Sequence, residues 1–216
     1  MHLIRTLVVL LLVVVPAGMY AEQPRTPREE ALAGTAARDA VLRRQAYAAL
    51  GEVGIADDLP VLYAALYDDD PAVRRIAENA IWQIWGRSGD PQADELYRIG
   101  VRQMREGLLR SALRTFSQLI EHNPAFTEAW NKRATVYFLL GQDDLSIADC
   151  DEVLKRNPQH FGALSGYGQL MLRRRQPERA LDYFERALAA NPNMDGVRST
   201  VEMLRRYLIE RRGRFI

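Results

Sequence analysis

The sequence lacks the residues on which several common classes of protein depend. Its 216 residues include a single cysteine, Cys150, which excludes an intrachain disulfide and any zinc site built from several cysteines. It also has almost no excess charge, because 29 basic residues face 28 acidic ones and leave a formal net charge of +1. Proteins that bind nucleic acid through its phosphates are usually visibly basic. We therefore expect no nucleic-acid partner.

Long apolar runs are also missing, and the one short run lies at the N-terminus. Leu7–Val15 is a stretch of nine apolar residues, preceded by Arg5 and followed by small residues up to Ala21. A bilayer-spanning helix needs about 20 apolar residues, whereas a secretory signal peptide has this shorter anatomy. We expect residues 1–21 to be a signal peptide, cleaved after Ala17 or after Ala21. The alternative is an uncleaved segment that anchors the chain to the inner membrane, which is the only membrane contact we expect.

Lysine is scarce as well. Only Lys132 and Lys155 accompany 27 arginines, a usage typical of GC-rich bacterial genomes. Together with the N-terminal segment, this bias predicts an exported protein of the bacterial periplasm.

A repeat with a period of 34 residues is the strongest pattern in the chain. The dipeptide Asn-Pro recurs at residues 123–124, 157–158 and 191–192, which defines blocks 93–126, 127–160 and 161–194. Each block has small residues at its eighth and twentieth positions and an apolar residue at its twenty-fourth. In block order these are Gly100, Ala134 and Gly168, then Ala112, Ser146 and Ala180, then Phe116, Cys150 and Phe184. Such periods are the signature of stacked helical repeats.

This pattern resembles the tetratricopeptide repeat, or TPR. The resemblance implies two antiparallel helices per block, with the small residues allowing close approach and the proline ending the second helix. We therefore predict an all-α fold, a right-handed helical-hairpin solenoid with three TPRs over residues 93–192. A capping helix over residues 195–212 is expected to close the stack, since exposed terminal repeats need a polar outer face.

A weaker repeat precedes the TPRs. Residues 39–50 align with residues 70–81 at an offset of 31, with shared Arg pairs at Arg43-Arg44 and Arg74-Arg75. This pattern resembles HEAT-like repeats, in which Asp–Arg contacts tie successive turns, and we assign residues 37–88 to it. Residues 22–36 contain Pro24 and Pro27 and are expected to form a flexible leader. The junction at residues 86–91 is too short for free movement, so one continuous solenoid is expected.

No group of residues indicates catalysis or metal binding. The aspartates at 57, 58, 68, 69 and 70 lack the spacing of a calcium loop. His122 and His160 lie beside Asn-Pro turns and are expected to be exposed, and they are not spaced as metal ligands. Cys150 occupies a core position and is expected to be an inert buried thiol. We therefore expect no enzymatic activity, no cofactor and no metal.

The resemblance to TPR proteins implies that function lies on the concave surface, lined by the first helix of each repeat. The carboxylate clamp known from some TPRs is absent, because Tyr97 and Val101, Lys132, and Gly162 and Gly166 stand at its positions. The remaining surface combines four cations with an amide and apolar side chains, which suits an extended peptide or a helix with acidic character. The predicted groove consists of Tyr97, Arg98, Met104, Arg105, Asn131, Lys132, Thr135, Phe138, Gln169 and Arg173.

The sequence therefore predicts a non-enzymatic scaffold or adaptor of the bacterial envelope that binds a protein or peptide in this groove. It resembles exported bacterial TPR proteins of unknown role. One alternative is a structural subunit of an envelope assembly that uses other surfaces, and another is an enzyme with a cryptic site. The sequence does not determine the oligomeric state.

Overall fold

The computed structural model describes residues 24–213, in which all regular structure is helical. The predicted signal peptide, residues 1–21, lies outside this range. A short 3-10 turn, Ala56–Asp58, separates the second and third helices. The α-helices of the described residues are α1 Pro27–Gly34, α2 Ala40–Val53, α3 Leu59–Ala65, α4 Pro71–Trp85, α5 Pro91–Arg105, α6 Leu109–His122, α7 Thr127–Leu139, α8 Asp143–Arg156, α9 Phe161–Arg173, α10 Pro177–Ala190 and α11 Asp195–Gly213.

The segment expected to be a flexible leader contains the first helix. Thr26 and Glu29 form a capping box, and Pro27 occupies the first helical position, where a missing amide proton costs nothing. The guanidinium of Arg28 then donates to both carboxylate oxygens of Asp58, at 2.8 and 2.6 Å. Proline at this position starts a helix, and the leader prediction failed because it took Pro27 only as a helix breaker.

The first four helices share one core. Leu50, Leu62 and Leu66 are fully buried, together with Val73 and Ile81 of α4. The Asp–Arg contacts expected between successive turns are present. Arg43 binds both oxygens of Asp68, at 2.8 Å each, and Arg44 binds Asp70. The hydrogen bonds from Arg44 hold the pKa of Asp70 at about 2. The assignment of these helices to the HEAT family stays a prediction.

The TPR helices pack in the pairs α5–α6, α7–α8 and α9–α10, and α11 packs on α10. Small residues lie where the paired helices approach. A Cβ atom on Gly100 would be 2.6 Å from the ring of Phe116, and one on Gly168 would be 2.7 Å from the ring of Phe184. The Ser146 hydroxyl donates to the carbonyl oxygen of Ala134 at 2.8 Å. The helical-hairpin fold predicted from the 34-residue period is confirmed.

Two glycines of α9 provide a test of this packing. Gly168→Ala is expected to lower the free energy of unfolding by about 1–3 kcal/mol, because the new methyl group overlaps the Phe184 ring. A Cβ on Gly166 meets no atom within 4 Å, so Gly166→Ala is expected to raise the stability by up to about 1 kcal/mol through helix propensity. Urea denaturation of both variants measures the difference. Shifts of the same sign would contradict the packing.

The N-terminal helices do not extend the TPR stack lengthwise. One face of α4 packs on α2 and α3, while its other face crosses the N-terminal ends of α7 and α9 through Trp82 and Trp85. The short junction after α4 is held against the N-terminal helices, because the Arg87 guanidinium donates to the carbonyl oxygens of Gly51 and Gly54 at 2.6 and 2.9 Å. The chain therefore folds back on itself, and the first helices contact the third TPR.

Candidate functional site

The concave surface of the TPR helices is divided into two parts by α4. We call the part beneath α4 the covered half; it comprises the N-terminal ends of α7 and α9 and the α10–α11 turn. We call the remainder the open half. It consists of the C-terminal parts of α7 and α9, the adjoining face of α11 and Glu78 of α4, and Asn131, Gly162 and Met194 lie at its border with the covered half. It includes Thr135, Phe138, Ser165, Gln169, Leu172, Arg173 and Thr200.

Two tryptophans of α4 fill the covered half. The Trp82 ring lies edge-on to Phe161, with centroids 5.2 Å apart, and the Lys132 ammonium is 5.1 Å from the centre of the same ring. Gly162 is required here, because a Cβ atom would be 2.5 Å from Trp82. Trp85 stacks on His160 with centroids 4.0 Å apart. The helix α4 thus occupies the groove at positions where the family resemblance placed the clamp.

The turn between α10 and α11 is bound by the N-terminal helices. The Arg74 guanidinium donates to Asn193 Oδ1 at 2.9 Å, and Asn193 Nδ2 donates to the carbonyl oxygen of Leu66 at 2.8 Å. Arg74 is the repeat equivalent of Arg43, which binds Asp68. Asn193 of the third TPR therefore accepts from Arg74 as Asp68 accepts from Arg43. This contact connects the N-terminal repeats to the third TPR.

A buried polar cluster lies directly under α4. The Glu128 carboxylate accepts from Asn131 Nδ2 at 2.9 Å and from His160 Nε2 at 3.0 Å, and it pairs with Lys132 at 2.8 Å. His160 Nδ1 accepts from the Ala163 amide at 3.0 Å, which leaves the proton on Nε2 and the ring neutral. Burial raises the pKa of Glu128, but the His160 hydrogen bond and the Lys132 charge outweigh it and lower the pKa to about 2.

This cluster corrects two expectations about single residues. His160 was expected to be exposed and is 1% exposed, because it both caps α9 and stacks on Trp85. Asn131, expected in the groove, does line a cavity between α7 and α9, yet it is 7% exposed and its amide donates to Glu128 in the same helix. The sequence could not show the burial of His160, since this burial depends on a helix that is distant along the chain.

The four predicted groove cations do not form a free basic surface. Arg98 pairs with Glu95 at 2.5 Å on the exterior of α5, Lys132 pairs with Glu128, and Arg173 pairs with Asp143 at 2.7 Å. Within residues 24–213, Arg105 alone of the four has no ion pair, and it lies at the end of α5 beside Met104. The charge balance of the groove is therefore close to neutral.

The other predicted groove residues separate by position. Tyr97 packs against Phe116 and Phe126, with its ring centroid 6.4 and 5.4 Å from theirs. The guanidinium of Arg173 lies 3.7 Å from the centre of the Phe138 ring. The predicted residues that the structure does bring together are Asn131, Thr135, Phe138 and Gln169, which line one cavity, and Arg173 beside Phe138.

Two adjoining cavities form the open half. One has a volume of about 220 Å³ between α7 and α9 and is lined by Thr135, Phe138, Gly166 and Gln169 with Cys150 at its base. Burial raises the pKa of the Cys150 thiol to about 12, which keeps the thiol protonated at neutral pH. The second cavity, of about 540 Å³, shares Ser165, Gln169 and Met194 with the first and extends to Glu78, Leu172 and Thr200.

Sequence reasoning missed the contribution of α4 to this surface. Its buried stripe of Val73, Ala77 and Ile81 explains one apolar face, yet Trp82 and Trp85 lie on another. A helix with apolar residues on two faces needs two packing partners, and this signal was available in the sequence. What it could not reveal was which helices supply the second partner.

The described residues contain neither a metal centre nor a membrane span. Across residues 24–213, no three His, Cys, Asp or Glu side chains converge in a way that could hold a metal ion. In the same range, no helix combines the length and the apolar character needed to cross a bilayer.

Comparison with known proteins identifies the repeats. Residues 97–160 and 146–195 match the family model of the tetratricopeptide repeat. A TPR repeat-containing protein of Rhizobium etli is 30% identical over 135 residues, which are 62% of this chain and 66% of that protein. DnaJ homolog subfamily C member 3 of Homo sapiens is 26% identical over 95 residues, which are 44% of this chain and 19% of that protein. The chain thus spans about two thirds and about a fifth of these curated relatives.

Solved structures show the same fold. The first TPR domain of Spaghetti (RPAP3), bound to the HSP90 peptide SRMEEVD, has a TM-score of 0.53 and 22% identity, covering 56% of this chain and 96% of that one. The Sgt2 TPR domain from Aspergillus fumigatus also has a TM-score of 0.53 and 22% identity, covering 57% of this chain and 83% of that one. The 34-residue period, the paired helices and these matches agree on a tetratricopeptide-repeat fold for residues 97–195.

Proposed function

We propose that this protein is a non-enzymatic interaction scaffold that binds a peptide or protein segment in the open half of its concave groove. The observation that carries the proposal is the pair of adjoining cavities between α7, α9 and α11, which α4 leaves uncovered. Ligand sites are typically concave and largely apolar, with a few polar groups that fix orientation. Thr135, Gln169 and Thr200 supply such groups around an apolar floor.

The structural neighbours support a peptide ligand and also indicate that it binds differently here. The Spaghetti domain was solved with a peptide of HSP90. In this chain the positions of the family's carboxylate clamp carry Lys132 and Gly162, both in contact with Trp82. A partner therefore has to bind farther along α7 and α9, toward Phe138 and Arg173. A partner with acidic character was expected because four cations were placed in the groove. Three of these cations are paired within the chain, so they give little support for an acidic partner.

We also propose that the protein acts in the bacterial envelope. The short apolar run at Leu7–Val15 and the arginine-rich composition favour an exported protein of the bacterial envelope. A reporter enzyme that is active only outside the cytoplasm, fused after residue 213, tests this part. Activity that disappears when Leu10 and Leu11 are replaced by arginine supports export, and an inactive fusion contradicts it.

Filling the smaller cavity should abolish partner binding without unfolding the protein. Gly166→Phe places a ring into the 220 Å³ cavity, where a Cβ atom meets no neighbour within 4 Å. We expect the variant to keep the wild-type circular dichroism spectrum and to lose partner capture by at least about tenfold, since a ligand needs the volume that the ring occupies. Gly166→Ala is the matched control, because it adds a side chain without filling the cavity.

Site-specific crosslinking in intact cells measures this capture. A photo-reactive residue at Phe138 or Gln169 reports on the open half, while one at Asp182, on the outer helix α10 and 67% exposed, reports on the convex surface. We expect adducts at the first two positions that disappear with Gly166→Phe. Adducts at Asp182 alone would contradict the groove and favour a structural subunit that uses other surfaces.

A further inference from the structure

One carboxylate in the open half has no counter-charge. Glu78 lies on α4 one turn before Trp82, is half-buried, and lines the 540 Å³ cavity. Among the residues that the structure describes, no side chain or amide forms an ion pair or hydrogen bond with it. The neighbouring Arg74 does not compensate it, because its guanidinium is held by Asn193 and by the carbonyl oxygens of Asp68 and Asp69.

The walls around Glu78 are uncharged. Ser165, Gln169 and Thr200 contribute hydroxyl and amide groups, and Leu172 and Met194 contribute apolar surface. The cations of the groove are engaged elsewhere, Lys132 with Glu128 and Arg173 with Asp143. A half-buried carboxylate in such surroundings attracts a cation brought next to it and can form a charge-assisted hydrogen bond with it.

The adjoining 220 Å³ cavity suits one apolar side chain. Its lining is mainly small or apolar, with Ala134, Phe138, Cys150, Gly162 and Gly166 among its members. An apolar cavity of about 150 Å³ is large enough to bind benzene, so this one accommodates an aliphatic or aromatic side chain. The two cavities meet at Ser165, Gln169 and Met194, so both can be filled by neighbouring residues of one segment.

We propose that the open half selects a peptide segment in which a lysine or arginine stands next to a large apolar residue. The cation pairs with Glu78 and the apolar side chain enters the 220 Å³ cavity. This inference rests on the proposed function and gives its partner a chemistry. The HSP90 peptide SRMEEVD of the Spaghetti domain carries three acidic residues and one arginine, which stands next to a methionine, whereas the charge that Glu78 presents to the ligand here is negative.

Selection from a library of random displayed peptides tests the proposal, with the purified full chain as target. We expect enriched peptides to combine a basic and an apolar residue. Glu78→Gln should weaken binding of the best peptide by about tenfold, the loss expected for one charge-assisted hydrogen bond. Glu78→Lys should reverse the preference. This variant should bind the peptide with glutamate in place of its basic residue more tightly than it binds the original peptide. Glu202→Gln removes an equal charge from the exposed surface of α11 and should change nothing.

The outcomes separate this inference from the proposed function. Enrichment of acidic peptides overturns the inference, and so does a basic peptide that binds Glu78→Gln as tightly as it binds the wild type while Gly166→Phe abolishes its binding. In both cases the groove remains the binding site. Peptides that bind Gly166→Phe undiminished, or a library that yields none, overturn the proposed function and the inference together.

Discussion

Replacement of Phe161 by alanine is expected to lower the free energy of unfolding by about 3–5 kcal/mol, the range for truncating a fully buried phenylalanine. Phe161 is the first residue of α9 and is 0% exposed. Its ring packs against Trp82 and Trp85, with centroids 5.2 and 4.9 Å away. Although it belongs to a TPR helix, its side chain lies in the core of the N-terminal helices. The substitution therefore removes an apolar contact between the N-terminal helices α1–α4 and the TPR helix α9.

Two measurements check this result. Denaturant unfolding gives the stability, and amide hydrogen exchange shows where protection is lost, which we expect mainly in α4 and α9. Leu139→Ala is the control, because this side chain is 53% exposed and its truncation should shift the stability by no more than about 0.5 kcal/mol. A Phe161→Ala variant that is as stable as Leu139→Ala, with α4 still protected, would show that α4 does not rely on this contact.

Replacement of Glu128 by glutamine is expected to cost about 3–5 kcal/mol, the usual loss when one partner of a buried ion pair is removed. Glu128 is 1% exposed and accepts from three donors. The glutamine amide would add two donors opposite Asn131 and Lys132, so that donors would face donors in a buried cluster. Glu152→Gln is the control, since its i,i+4 partner Arg156 lies on the surface and exposed pairs contribute little.

The same cluster predicts a dependence on pH with a defined sign. The folded-state pKa of Glu128 is about 2, below the ordinary glutamate value of 4.5. A carboxylate with a lowered pKa stabilises the folded state above its unfolded-state pKa and loses that contribution as the pH falls through the folded-state value. The stability difference between the wild type and Glu128→Gln should be constant above about pH 4.5 and shrink as the pH falls toward about 2. Denaturation midpoints across this range measure it, and a difference that stays constant would contradict the assigned shift.

The sequence determined the local architecture of this protein. The 34-residue spacing of Asn-Pro fixed three helix pairs, because a proline cannot continue a helix and each pair must bury its apolar face against the next. Small residues at equivalent positions, such as Gly100 and Gly168, predicted where helices approach. The Asp–Arg contacts of Arg43 and Arg44 were expected from the resemblance of this segment to HEAT-like repeats.

The open half of the groove was predicted only in part. Thr135, Phe138, Gln169 and Arg173 follow from the repeat register and the TPR resemblance, and the structure places them together. Asn131 and Lys132 obey the same register, but both bind Glu128, and Lys132 also lies over Trp82 of α4. Register fixes which face of a helix a residue occupies, and it carries no information about what lies on that face.

The sequence gives the number of charged residues, but the tertiary structure decides which of them are paired. The composition gives a net charge of +1, and the register placed four cations in the groove. Only the folded chain showed that Arg98, Lys132 and Arg173 are paired and that Glu78 is not. Helical repeats are built from local contacts, which the sequence encodes by spacing. The return of α4 across the groove joins Trp82 to Phe161 and Arg74 to Asn193, contacts between residues far apart in the chain, and only the tertiary structure decided them.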